Sequence, residues 1–234
     1  LITGVSLAFV GHEVTCVDAK QEVVATLQRG GTTFHEPGLV ALLEAARPRL
    51  DFREALPPLR GDGVVMIAVG TPAKENGEAD LAYVDTAARE VAAAIEPGAR
   101  LTVVNKSTVP IGSARHVDGI IERALEERGV DAEVDVVSNP EFLAEGQAVH
   151  DSLYPDRMVI GAERRRPVDV LRELYAPMLE QTFEPPAENP RHDSGTLRLP
   201  IITNDAALPS RKHAPPRWYR PISRWNAPAY RDRI

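Results

Sequence analysis

The chain has 234 residues, 43% of them hydrophobic and 26% charged, with a formal net charge of −7 and one cysteine. That is enough to bury a substantial core as one large or two small domains; the acidic balance argues against a general nucleic-acid binder, and a single cysteine excludes an internal disulfide and a multi-cysteine metal site, so no metal is expected. No apolar run approaches the roughly 20 residues that span a bilayer and no basic signal region opens the chain, which makes the cytoplasm the expected compartment and a membrane an unexpected partner.

In chain order, "LITGVSLAFV" interleaves small and large apolar residues, as suits a buried helix packed closely on a sheet. Gly11 is free to take the left-handed conformation that ends it, and Val14–Val17 reads as a buried parallel strand with Asp18 at its carboxyl end. Helical patterns follow at Gln21–Gln28 and Gly38–Ala46, then a short strand at Leu50–Phe52 and a strongly apolar one at Val64–Val69 that runs into Gly-Thr-Pro. Asp80 is placed to cap a helix over Leu81–Ile95, whose Val84, Ala88, Val91, Ala92 and Ile95 share one face. Leu101–Val104 predicts a strand, a helix runs on to Arg128, Val134–Val137 and Met158–Ile160 predict two more strands, and Val168–Leu174 a helix. This alternation predicts a doubly wound, mostly parallel α/β sheet over residues 1–184. Residues 185–234 form a Pro/Arg-rich tail in which prolines 209, 215, 216, 221 and 228 forbid a long helix. It reads as unstructured or as translated out of frame; the alternative is that Trp218, Tyr219, Trp225 and Tyr230, set among arginines, stack on single-stranded nucleic acid.

Ligands of such sheets bind where strands end, so the strand exits are the candidate sites. Asp18 is either a carboxylate that accepts hydrogen bonds from an adenosine ribose or a solvated turn residue. In "VGTP", Gly70 permits close backbone approach and Thr71 offers a hydroxyl, unless the segment is a simple turn. "NKSTVPIG" sets Lys106, Ser107 and Thr108 just after a buried strand, with Pro110 fixing the loop and opening the next helix; the hydroxyls either cap that helix or bind a ligand or water. "NPEFLAEG" separates Glu141 and Glu145 by four positions. A helical turn would put them on one face, where repulsion and desolvation raise one pKa toward acid/base work; otherwise they are surface glutamates. Cys16, inside the first strand, reads as a packed, inert thiol.

The ordered set "GHEVTCVD", "EPGL", "VGTP", "KSTVP", "NPEFLAEG" and "PDRMVIG" closely resembles the amino-terminal domain of UDP-glucose 6-dehydrogenases, in the UDP-glucose/GDP-mannose dehydrogenase family, over residues 1–180. The resemblance implies a Rossmann-like fold that lacks its first strand and glycine-rich turn, and leaves open strand edges. It implies oxidation of UDP-glucose by two NAD+ and water to UDP-glucuronate, through a cysteine-bound thiohemiacetal and thioester. On the matching positions, Asp18, Val69, Gly70, Thr71, Ser107, Thr108 and Glu145 are implied to contact NAD, with Lys20 a candidate supplement to Asp18; Val23 departs from the family, which often carries a basic residue there. Glu141 is implied as the acid/base residue, Thr108 as holder of a catalytic water, and Glu141, Phe142, Leu143, Ala144 and Glu145 as neighbours of the sugar nucleotide. The family's lysine and asparagine on a later helix, its dimer-forming helix and its nucleophilic cysteine are not matched, and Cys16 fits no nucleophile motif. The chain is therefore expected to be a fragment, inactive alone, of an enzyme that works as a homodimer. A GDP-mannose 6-dehydrogenase and a non-catalytic nucleotide-binding remnant are the alternatives.

Overall fold

Apolar runs bounded by glycine and proline become strands here, and the amphipathic stretches between them become helices. A computed structural model of the chain describes residues 1–110, 112–189 and, as strand backbone, 201–205. The elements are α1 (Ile2–Phe9), β1 (Val14–Val17), α2 (Gln21–Gln28), α3 (Leu39–Ala46), β2 (Leu50–Arg53), β3 (Asp62–Ile67), α4 (Ala82–Ala94), β4 (Arg100–Asn105), α5 (Ser113–Arg128), β5 (Glu133–Ser138), α6 (Ala148–Leu153), β6 (Met158–Ala162), α7 (Arg165–Leu174), α8 (Ala176–Glu180) and β7 (Ile201–Asp205). Gly11 does end α1, at φ +116° with its N–H donated to the Ala8 carbonyl. Asp80 accepts from the Ala82 N–H at 3.1 Å, at the start of α4.

The strands form two sheets. β1 and β2 pair in parallel as one; β3, β4, β5, β6 and β7 lie side by side in that order as the other, parallel except where β5 meets β6. β3, β4 and β5 run in strict register, Asp62 beside Arg100 beside Glu133 at one end and Ile67 beside Asn105 beside Ser138 at the other. Their carboxyl ends therefore share one edge.

Alternation along β4 decides the layers: Leu101 and Val103 join a core with Val84, Val91, Val117 and Ile121 of α4 and α5, whereas Val104 joins Val137, Leu171 and Met178 with Leu7 of α1. Helices thus cover both faces, as the doubly wound α/β pattern requires. A third core joins α1, α2, α3 and α6 around Leu39, Leu42, Phe52 and Leu153.

Several expectations are corrected. β1 is not a buried strand: its residues alternate between half-buried and exposed, and Val17 is 38% exposed. The physical reason is its partnership, since among the described residues it pairs with β2 alone. β3 starts and stops two residues earlier than expected, since its ladder with β4 runs from Asp62 beside Arg100 to Ile67 beside Asn105. α6, α8 and β7 were not foreseen. Packing also continues beyond 184: Asn189 is 9% exposed, and its carbonyl accepts from the Tyr154 hydroxyl at 2.9 Å. β7 lies within what was expected to be an unpacked tail. Pro209, Trp218, Tyr219, Trp225 and Tyr230 lie outside the described residues.

Candidate functional site

The exits of β3 and β4 are laced together. The Lys106 N–H donates to the Ile67 carbonyl at 2.9 Å, the Ser107 hydroxyl to the Val69 carbonyl at 2.7 Å, and the Thr71 hydroxyl to the Thr108 carbonyl at 2.9 Å. Ser107 does not cap the next helix. α5 begins after Gly112, at φ +95°, without a side-chain cap. Pro110 does not open α5 either; its carbonyl accepts the Ser113 N–H at 3.2 Å and the Ser113 hydroxyl at 2.7 Å. A Cβ built on Gly70 would meet nothing within 4 Å, so the space beside this backbone is open, and Thr108 is exposed next to it.

Beneath this edge lies a buried polar network centred on Asn139. Its Oδ1 accepts from the Tyr175 hydroxyl at 2.9 Å and from the Lys106 ammonium at 3.5 Å; its Nδ2 donates to the Val159 carbonyl at 2.8 Å, and its N–H to the Asn105 carbonyl at 3.0 Å. Lys106 is only 7% exposed, and no ion pair to it forms among the described residues. Burial pulls its pKa down, opposed by the Glu141 carboxylate; burial pushes the Tyr175 hydroxyl up, helped by the same carboxylate. Glu141 therefore lies within electrostatic reach of both. Asn105, 1% exposed, has neither side-chain polar atom bonded among the described residues.

Residues 141–144 are irregular and 145–147 form a turn, so the helical condition for a shared face is not met, and Glu141 and Glu145 are both exposed. The cause is local: the Ala144 N–H donates to the Asp151 carboxylate at 2.9 Å instead of entering a helical ladder. Phe142 is 51% exposed with the Arg157 guanidinium 4.9 Å from its ring centroid, Leu143 is half-buried, and Ala144 and Glu145 are exposed. The loop's far end is held by Glu36, whose carboxylate accepts from the Gly146 N–H at 3.0 Å and the Ala148 N–H at 2.8 Å.

Asp18 stands apart, exposed at the end of β1, where it forms a local turn with the Lys20 N–H at 2.9 Å. Its N–H donates to the Arg53 carbonyl at the end of β2 at 3.1 Å, and no hydrogen bond among the described residues joins it to the exits of β3 and β4. Cys16 is half-buried with its thiol pKa raised by burial, and its sulfur sits 2.7 Å from where a Cβ on Gly4 would lie, close against α1. Among the described residues no helix is long and apolar enough to cross a membrane. The site residues that sequence reasoning gave no role are Glu36, Asn139, Arg157 and Tyr175. A signal was present for two of them: Glu36 opens "EPGL" and Asn139 opens "NPEFLAEG", each a polar residue before proline where an apolar pattern breaks.

Residues 1–179 match the UDP-glucose/GDP-mannose dehydrogenase family, NAD binding domain. The chain is 43% identical over 182 residues to a UDP-glucose 6-dehydrogenase of Pseudomonas aeruginosa, a match that covers 76% of this chain and 40% of that protein. Among solved structures it is similar to a UDP-glucose dehydrogenase from Pyrobaculum islandicum, with TM-score 0.67, 33% identity, and coverage of 86% of this chain and 43% of the other. A ternary complex of GDP-mannose dehydrogenase from Pseudomonas aeruginosa is similar with TM-score 0.68 and 32% identity, covering 86% and 43%. The chain thus spans about two fifths of the length of the relatives it matches.

Proposed function

Because this chain belongs to the UDP-glucose/GDP-mannose dehydrogenase family, we propose that it is the cofactor-binding part of a cytoplasmic UDP-glucose 6-dehydrogenase, which oxidises UDP-glucose with two NAD+ and water to UDP-glucuronate and two NADH. The observation that carries this reading is the buried polar network of Lys106, Asn139 and Tyr175 beneath the edge where Ser107 and Thr108 leave β4. The 43% identity to a UDP-glucose 6-dehydrogenase favours UDP-glucose over GDP-mannose.

The edge fits a dinucleotide. Gly70 leaves room for one, and the Thr71 and Ser107 hydroxyls, their protons already committed to carbonyls, keep lone pairs for a ligand's donors. Val69, Gly70, Thr71, Ser107, Thr108 and Glu145 would hold NAD at this edge, and Asp18 its ribose. NAD supplies the hydride acceptor when bound. The exposed Thr108 hydroxyl is suited to hold a water, and Glu141 to take that water's proton. Phe142, Leu143 and Ala144 would line the sugar nucleotide.

Cys16, packed in β1 with its thiol pKa raised, is poorly suited to act as the thiolate. The 234-residue chain therefore binds without turnover. Calorimetric titration with UDP-glucose and GDP-mannose tests the substrate: saturable binding that prefers UDP-glucose is expected, and a preference for GDP-mannose moves the chain to the sister activity. Steady NADH production at 340 nm from the pure chain with UDP-glucose and NAD+ would refute binding without turnover.

A further inference from the structure

The segment between β5 and α6 is tethered at three points. Asn139 fixes its start through the Asn105 and Val159 carbonyls, Asp151 holds the Ala144 N–H, and Glu36 holds the Gly146 and Ala148 N–H groups. The first two tethers come from the edge itself and from α6, just beyond the segment. The third comes from the loop between α2 and α3, 110 and 112 residues earlier in the chain.

Glu36 is only 7% exposed and forms no ion pair among the described residues. A buried carboxylate is costly unless its oxygens are bonded. Here each oxygen takes a different amide, and among the described residues those amides have no other partner: Ala148 opens α6, where the first N–H groups lack intrahelical acceptors, and Gly146 occupies a turn at φ +82°. Glu36 is itself held in place. Its carbonyl accepts the Leu39 N–H at 3.1 Å at the entry to α3, and Leu39 is fully buried beside Val149 and Leu153 of α6. A second constraint closes the same corner, because a Cβ on Gly38 would lie 1.9 Å from the Asn189 side-chain nitrogen. The carboxylate thus stands on a packed base and reaches the loop with both oxygens.

We propose that Glu36 is a positioning residue for the loop 141–147, holding its carboxyl-terminal end so that the loop presents a fixed surface to a sugar nucleotide. The inference rests on the reading of that loop as the sugar-nucleotide side of the site. Glu36 does not touch the ligand; it acts through the Gly146 and Ala148 amides.

The test uses the whole chain and the variants Glu36→Gln, Glu36→Asp and Glu36→Ala, with amide hydrogen exchange and UDP-glucose titration. Glutamine keeps one acceptor but turns an NH2 toward the other amide; aspartate keeps both acceptors on a shorter arm. Exchange at Gly146 and Ala148 is expected to accelerate by about tenfold or more in the Gln and Ala variants, while β4 and β5 amides keep wild-type protection. UDP-glucose affinity is expected to fall by about tenfold in the same variants and to recover in part with aspartate. If Ala disrupts folding, Gln decides. Unchanged protection at 146 and 148, or equal loosening throughout the molecule, overturns the proposal. A wild-type chain that binds no UDP-glucose removes the substrate reading, while the exchange pattern still decides whether Glu36 positions the loop. Wild-type binding with no loss in the Gln variant removes Glu36 alone.

Discussion

The two ends of β3, β4 and β5 are built on opposite principles. At the amino-terminal end charges meet opposite charges: Asp62 with Arg100 at 2.6 Å, Glu133 with Arg166 at 3.4 Å, and Asp135 with Arg166 at 2.8 Å and Arg164 at 3.2 Å. At the carboxyl-terminal end one buried ammonium has a single long hydrogen bond to an amide, and the neighbouring Asn105 amide has none among the described residues. The strands are the same and in register, so the difference belongs to the side chains. Polar groups satisfied within the chain serve the fold. Groups that folding leaves unsatisfied weaken it, and their place at the strand exits marks the edge built for something other than the fold.

The largest expected effect comes from breaking the hub of that second end. Asn139→Leu removes the acceptor of Tyr175 and Lys106 and the donor to Val159 together, leaving buried polar groups without partners. A loss of about 3 kcal/mol is expected from urea unfolding, since each orphaned group costs roughly 1–3 kcal/mol. A loss below about 1 kcal/mol would mean that water replaces Asn139 readily and that the network is not a built feature.

How much of this was legible in the sequence depends on how far away each residue's partner lies. α2 and the face of α4 follow from apolar spacing alone, and β4 from the mostly β-branched and apolar stretch Leu101–Val104; local pattern carries that information. The burial of β1 could not be read, because it depends on which strands pair with it. Which of the two readings of the Glu141–Glu145 spacing applies could not be read, because a bond from Ala144 to Asp151 sets the local backbone. Lys106 sits in a polar run that reads as a solvated exit, yet α7, the residues after it and β6 close over it through Tyr175 and Asn139. Glu36 was quoted in its motif without a role, since its partners stand more than a hundred positions away.

A smaller effect is expected at the charged end. Asp135→Asn keeps the shape of a 6% exposed side chain but removes the charge that holds Arg164 and Arg166. Glu133 still faces Arg166, and Arg164 is 69% exposed, so the loss should be about 1–2 kcal/mol rather than the 3–5 kcal/mol of a fully buried broken pair. Thermal unfolding checks it, and a loss as large as that of Asn139→Leu would erase the distinction between the ends.

Lys106→Met sharpens the contrast through its sign. Near neutral pH the buried ammonium weakens the fold, so methionine should leave stability unchanged or raise it by up to about 1 kcal/mol. The folded-state pKa lies below the ordinary 10.5, so between the two the unfolded chain holds a proton that the folded chain has released. Wild-type stability then gains with rising pH, and the advantage of methionine should shrink toward pH 10.5. Tyr175 and Glu141 face the same ammonium and are present in both proteins, so they contribute to the difference only through their coupling to it. Urea midpoints across the alkaline range give the slope; an advantage that grows with pH would contradict the burial argument.

The smallest effect is expected where the pair is most visible. Arg100→Gln breaks two short hydrogen bonds to Asp62, yet the two side chains are 51% and 68% exposed, and at physiological salt screening acts within about 8 Å. The unfolding midpoint at pH 7 should fall only slightly below wild type, and the two should converge in acid: the Arg100 hydrogen bond lowers the Asp62 pKa below the ordinary 3.8, so its small contribution is present above this value and is lost as pH falls through the folded-state pKa. The glutamine variant should therefore lose less stability than wild type over that interval. If it instead costs as much at pH 7 as Asn139→Leu, exposed ion pairs and buried amides carry equal weight, and the contrast between the two strand ends fails as a guide to where a ligand binds.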